Sequence, residues 1–160
     1  LNGAHLIITG GEPLLQQQAI VDLINQFEQK PIIEIETNGT IIPIEPLSVL
    51  INQWNISLKL SNSGEPHARR IKKQCIDWFI EKNNTVYKFV ISNQNDIDEL
   101  EREFPWIKNT SIRQKYLMPA ADNKSDLNIQ YESVIELAKK RGYTLGQRFH
   151  IALWNQKTGI

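Results

Sequence analysis

The chain has a single cysteine in 160 residues, so no internal disulfide can form and a reducing, cytoplasmic location is the expectation. It has no excess of either charge: 18 Lys and Arg stand against 18 Asp and Glu. That balance removes the electrostatic case for nucleic acid or an acidic membrane surface. No apolar run approaches the roughly 18 residues of a membrane span, and no signal peptide is visible. No Cys/His spacing suggests zinc, and no Gly-x-Ser-x-Gly elbow is present. There is no repeat, low-complexity tract or linker, so a single domain over residues 1–160 is expected. The first residue is Leu1 rather than Met, and a strand follows almost at once. This leads us to expect a piece of something longer.

What the chain does have is alternation between strand-like and helix-like runs. Strands are expected over residues 4–9, 32–36, 54–60, 86–92, 114–118 and 148–154. Helices are expected over residues 15–29, with Ile20, Leu23, Ile24 and Phe27 on one face, and over 68–81, with Ile71, Cys75, Trp78 and Phe79. Two more are expected over 96–104, capped from Ser92 or Asn93, and over 131–141, closed by Gly142. Residues 45–52 read as a short helix or irregular crossover, and 61–66 and 125–130 as loops. The alternation implies an α/β fold with a mostly parallel sheet and right-handed crossovers. About six strands are too few for a closed (β/α)8 barrel, so an open or partial barrel is expected.

Polar residues gather at the strand ends. Residues 6–16, LIITGGEPLLQ, read as a buried strand, a tight Gly10-Gly11 corner and then a helix. Glu12 therefore sits at a strand's C-terminal end, where its carboxylate can accept hydrogen bonds from a ligand ammonium group. The plain alternative is a corner with a solvated Glu. Other ends carry Thr9; Glu36, Thr37 and Asn38; Ser57, Lys59, Ser61 and Asn62; Lys88 and Ser92; and Met118 and Pro119. In a parallel sheet these lie on one edge, which suits a small polar ligand. The alternative is that turn formers and strand ends simply meet solvent. His5 and His67 read as structural or solvated, and His150 as either a hydrogen-bonded core residue or a ligand. Arg69-Arg70 with Lys72-Lys73 reads as a solvated basic face.

The strings ITGGEPLLQ, EIETNGT, SLKLSNSG, YKFVIS, LMPA and HIALWNQKTGI occur in this order over nearly the whole chain. Together they resemble the 7-carboxy-7-deazaguanine synthases, radical S-adenosylmethionine enzymes of queuosine and 7-deazapurine biosynthesis. Gly-Gly-Glu-Pro alone would point only to the wider radical class. The resemblance implies a partial (β/α)6-type barrel whose first strand and cluster loop are absent from this chain. It implies conversion of 6-carboxy-5,6,7,8-tetrahydropterin to 7-carboxy-7-deazaguanine with loss of ammonia. It also implies S-adenosylmethionine, a 4Fe-4S cluster and Mg2+ as cofactors, a one-electron donor such as flavodoxin, and a homodimer. Carried over by position, Thr9, Gly10, Gly11 and Glu12 match the motif that holds the amino group of S-adenosylmethionine. Glu36, Thr37 and Asn38 match a segment at the cofactor and substrate pocket. Ser57 and Lys59 match a Ser-Pro-Lys segment facing the cofactor, with Leu58 here in place of proline. Met118 and Pro119 match a segment near the adenine, and His150 with the tail from Trp154 matches the segment that closes near the substrate. Substrate contacts are expected from Glu36, Asn38 and His150. No residue of this chain is expected to serve as a catalytic acid or base, or as a metal ligand.

One departure stands out. The family binds its cluster through three cysteines in one N-terminal loop, whereas Cys75 is alone on an apolar helix face and reads as a small core hydrophobe. This chain by itself is therefore expected neither to hold the cluster nor to cleave S-adenosylmethionine. With the first strand absent, the sheet is expected to have an unpaired edge. Two other readings stay open. One is a different radical enzyme, such as a glycyl-radical activase, sharing Gly-Gly-Glu-Pro. The other is a non-catalytic module that keeps a nucleoside pocket.

Overall fold

The computed structural model describes residues 3–155 and 157, which fall into two units: Leu1–Leu58 with Pro66–Val86, and Lys59–Glu65 with Tyr87–Ile160. Strands and helices alternate through both, and every strand pairing described is parallel, giving an α/β fold.

In the first unit, β1 (His5–Ile8), β2 (Ile32–Thr37) and β3 (Gln53–Ile56) pair in chain order, with His5 opposite Ile32 and Glu34 opposite Gln53. Side chains alternate across a strand, so β2 buries Ile33, Ile35 and Thr37 and turns Glu34 and Glu36 to a half-buried face. β1 lies at the end of the strand order, as expected of an edge, and none of its residues is buried. A 3-10 turn, Pro13–Gln16, leads into α1 (Gln17–Asn25), which buries Ile20, Val21 and Ile24. α2 (Glu45–Ser48) and α3 (His67–Arg70) are single turns, and α4 (Lys73–Ile80) buries Cys75, Ile76 and Phe79. Trp54 of β3 is 1% exposed and meets Phe79 edge-on at 5.6 Å between ring centroids. Burying each such side chain contributes about 1.5–3 kcal/mol.

In the second unit, β4 (Thr85–Ile91, its first two residues belonging to the first unit), β5 (Lys115–Pro119) and the two-residue β6 (Thr144–Leu145) pair in chain order. α5 (Gln94–Glu103) is capped by Asn93, whose side chain accepts from the Asn95 N–H. α6 (Lys124–Arg141) is capped by Asn123 and ends at Gly142, whose φ of 70° is the left-handed conformation glycine adopts freely. α7 (Phe149–Trp154) packs through Ile151 with Ala121 and Leu127.

Several expectations are corrected. Residues 148–154 form no strand: the Ile151 and Ala152 N–H groups donate back to the Arg148 carbonyl and start α7. A short apolar run fits either state, and here helical hydrogen bonds win. Residues 125–130 are not a loop but the first turns of α6, because Asn123 accepts from the Asp126 N–H at 3.0 Å and fixes the start early. The helix expected over 68–81 is broken, since Ile71 has extended backbone and Lys72, with ψ 90°, is also non-helical between α3 and α4. The first long helix begins as a 3-10 turn and α1 stops at Asn25. The third strand's ladder ends at Ile56, although Leu58 and Leu60 beyond it stay buried. Arg70 is not on a solvated face; it is 7% exposed.

Candidate functional site

The Gly-Gly-Glu corner is built by the end of β1. Gly10 (φ 97°) and Gly11 (φ 49°) turn the chain, and a Cβ on either would meet nothing within 4 Å. The main chain here is therefore open. Glu12 follows and is not solvated in the manner of the plain alternative. Its Oε1 accepts from the Leu14 N–H at 3.0 Å, capping the 3-10 turn, and from the Thr37 hydroxyl at 2.7 Å. Its Oε2 accepts from the Asn38 N–H at 2.8 Å. One carboxylate thus ties the C-terminal end of β1 to that of β2. The two strings GGEP and ETNGT, far apart in sequence, are joined through it.

The ETNGT turn is fixed in its own right. Thr37 is 3% exposed and its hydroxyl also accepts from the Gly39 N–H at 3.2 Å. The Asn38 side-chain Oδ1 accepts from the Thr40 N–H at 2.9 Å and the Thr40 hydroxyl at 2.6 Å. Gly39 has φ 74°, and a Cβ there would stand 2.8 Å from Ile56 Cγ2, so the position admits glycine alone without rearrangement. Ser57, just past β3, donates its N–H to the Thr37 carbonyl at 2.8 Å. Glu36 accepts from the Thr9 hydroxyl at 3.3 Å. Thr9, Gly10, Gly11, Glu12, Glu36, Thr37, Asn38 and Ser57 therefore all stand at the C-terminal edge of the first unit's strands. Lower on the same face lies a network that sequence reading missed: Glu34 accepts from Gln53 at 3.0 Å and Asn55 at 2.9 Å, and meets His5 at 2.5 Å. Its period-two position beside Glu36 was the available signal.

The remaining candidates belong to the second unit. Lys59 is half-buried, and its pKa is lowered from 10.5, first by burial and then by the Arg148 guanidinium. Met118 and Pro119 end β5. Gly146 passes close to Met118: a Cβ on it would stand 2.8 Å from Met118 Cγ. His150 is exposed on α7, which removes the core reading of that residue. The tail matched beyond it includes Gln156 and residues 158–160, which lie outside the described residues. Arg148 was not singled out from sequence, where it falls between recognised strings. Its Nη1 donates to the Ala121 carbonyl at 2.7 Å and the Pro119 carbonyl at 3.4 Å. Burial lowers its own pKa. The expected turn Ser61–Ser63 carries hydrogen bonds from Ser61 and Asn62 to Glu99 and Asp96 of α5.

Cys75 is buried on α4, and burial raises its thiol pKa. Among the described residues, no three or more His, Cys, Asp or Glu gather as a metal would need, and no helix is long and apolar enough to cross a membrane.

No protein-family model matches the chain. A 7-carboxy-7-deazaguanine synthase of Pyrobaculum aerophilum is 28% identical over 156 residues, covering 97% of this chain and 67% of that protein. One of Halobacterium salinarum is 31% identical over 171 residues, covering 94% of this chain and 65% of that protein. The chain thus spans about two thirds of the length of these relatives. The crystal structure of QueE from Escherichia coli is similar in fold, with a TM-score of 0.55 and 20% identity over 90% of this chain and 56% of that one.

Proposed function

We propose that this chain, a homologue of the 7-carboxy-7-deazaguanine synthases over nearly its whole length, is the cofactor-facing part of such an enzyme. The overall reaction is the radical conversion of 6-carboxy-5,6,7,8-tetrahydropterin to 7-carboxy-7-deazaguanine, with loss of ammonia, in queuosine and 7-deazapurine biosynthesis. The observation that carries the reading is the joining of GGEP to ETNGT through Glu12, beneath the open main chain of Gly10 and Gly11. An ammonium group needs several acceptors in a fixed array, and main-chain carbonyls at a strand end can supply them.

In this reading Thr9, Gly10 and Gly11 receive the ammonium group of S-adenosylmethionine. Glu12 holds that corner against β2 and shares its carboxylate with the ligand. Thr37 and Ser57 line the same edge, and Lys59 takes a ligand carboxylate. Met118 and Pro119 lie beside the adenine. Glu36, Asn38 and His150 contact the pterin. Bound S-adenosylmethionine, given one electron by the external donor, would supply the radical that takes a hydrogen from the substrate; this chain's residues bind, orient and exclude water. No acid or base of this chain is needed. The 4Fe-4S cluster does not fit the residues of this chain: one buried thiol cannot replace several thiolates. The reading further takes the region as one radical S-adenosylmethionine domain, with Mg2+ on the substrate, a flavodoxin-type electron donor, a homodimer and a cytoplasmic location.

The test uses Gly10→Ala. The added methyl enters open space, so the fold should tolerate it apart from the strain of φ 97°, about 1 kcal/mol. A ligand on that main chain would be displaced. S-adenosylmethionine affinity, measured by calorimetry, should fall at least about tenfold in a protein that still melts cooperatively. Unchanged affinity would remove Gly10 from the site.

A further inference from the structure

The LSNSG string has no part in the site described above, yet its turn is held by hydrogen bonds from Ser61, Asn62 and Ser63. β3 ends at Ile56, so Lys59 stands three residues beyond the ladder. Just after it the chain turns: the Ser63 N–H donates to the Leu60 carbonyl at 3.1 Å, and the Gly64 N–H to the Ser61 carbonyl at 3.0 Å with φ 74° at Gly64. The Ser63 hydroxyl donates to the Leu60 carbonyl at 2.6 Å. Leu60 is 1% exposed and anchors the start of this turn.

Two carboxylates of α5 then hold the turn from outside. Glu99 accepts from the Ser61 N–H, at 3.0 Å to one oxygen and 3.2 Å to the other, and from the Ser61 hydroxyl. Asp96 accepts from Asn62 Nδ2 at 3.0 Å and from the Ser92 N–H at 2.6 Å. Asn62 Nδ2 also donates to the Val90 carbonyl of β4 at 3.0 Å. Asp96 and Glu99 are each 7% exposed. Two carboxylates buried one turn apart on a helix carry a desolvation cost of several kcal/mol each, offset only by good hydrogen bonds. A turn needed for packing alone could be held by apolar side chains at lower cost. What this clamp fixes is the backbone two residues from Lys59, relative to the end of β4.

We propose that Asp96 and Glu99 are positioning residues for Lys59, holding the 61–64 turn so that the Lys59 ammonium meets a ligand carboxylate. Arg148, tethered to the Pro119 and Ala121 carbonyls, sets a second positive charge within electrostatic reach of Lys59. This rests on the reading of Lys59 above. Both S-adenosylmethionine and 6-carboxytetrahydropterin carry a carboxylate, and the experiment separates them.

Calorimetric affinities for each compound are measured on the native polypeptide that carries this chain, with Lys59→Met, Glu99→Gln and the double variant. Ser61→Ala serves as a milder cut of the clamp, and melting temperatures are recorded throughout. Lys59→Met should weaken one of the two compounds about tenfold, the size of a lost charged hydrogen bond. Glu99→Gln and Ser61→Ala should weaken the same compound by about threefold or more, and Glu99→Gln should add nothing in the Lys59→Met background. Full additivity, or unchanged affinity in folded Glu99→Gln and Ser61→Ala proteins, overturns the positioning role while leaving the function intact. If Lys59→Met changes neither affinity, Lys59 is not a ligand group and the proposal falls with it. If the unsubstituted protein binds neither compound, the functional reading itself fails.

Discussion

Glu12→Ala should cost the protein about 3 kcal/mol. The carboxylate accepts from the Leu14 N–H at 3.0 Å, the Thr37 hydroxyl at 2.7 Å and the Asn38 N–H at 2.8 Å. Loss of a helix N-cap costs about 1 kcal/mol. Each of the other two bonds to a charged, half-buried acceptor is worth about 1.5 kcal/mol at the lower end of the range. Because the three share one side chain they do not add fully, and the total stays near ~3 kcal/mol. For a chain of this size that is a fall in Tm of about 6–12 °C. Glu12→Gln keeps one oxygen for Leu14 and Thr37 but turns an NH2 toward the Asn38 N–H, and should lose about 1–2 kcal/mol. Thr37→Val removes one donor, and its loss should be smaller in the Glu12→Ala background than in the unsubstituted protein. The assay is urea unfolding followed by tryptophan fluorescence, in which buried Trp54 reports on the same unit. If Glu12→Ala unfolds within about 0.5 kcal/mol of the unsubstituted protein, the size expected of an ordinary surface change, the carboxylate does not join β1 to β2.

Gly39→Ala combines a left-handed φ of 74° with a Cβ only 2.8 Å from Ile56 Cγ2; a loss of about 2–3 kcal/mol in the same assay is expected, and a neutral result would contradict this packing. Cys75 is buried with a raised thiol pKa, so a thiol reagent at pH 7 should label it slowly in the native protein and rapidly in urea; labelling at a free thiol's rate without urea would contradict this. Lys59 has a folded pKa below its ordinary 10.5. Its charge therefore opposes folding at neutral pH, and that opposition lifts as pH rises through the folded pKa, where the unfolded chain binds more protons. Lys59→Met should raise the unfolding midpoint at pH 7 and flatten the gain between neutral and alkaline pH; a lowered midpoint would contradict it.

The α/β alternation and the parallel pairing were legible because strands such as Ile32–Thr37 carry a clear period of two and end at turn formers. Helix limits were less so. The break after α3 has no Gly or Pro to announce it, and the start of α6 depended on weighing Asn123 and Asp126 as a cap rather than as loop residues. The helical state of Phe149–Trp154 was hidden because six mostly apolar residues fit either period. At the site, the corner and its glycines could be read directly. The use of the Glu12 carboxylate as a strap between two strings could not, since that depends on β1 and β2 being neighbours. The same holds for Asp96 and Glu99, which in sequence look like ordinary charges on an amphipathic helix, and for Arg148, which gains meaning only from the carbonyls it reaches.

The most direct test of the functional account is turnover. The native polypeptide carrying this chain, purified without oxygen and supplied with iron, sulfide, Mg2+, a reductant, S-adenosylmethionine and 6-carboxy-5,6,7,8-tetrahydropterin, should release 7-carboxy-7-deazaguanine, identified by mass. The account predicts that product together with 5′-deoxyadenosine. Deoxyadenosine without the deazaguanine would keep the radical cofactor and overturn the substrate, and a protein that binds neither compound would contradict the account altogether.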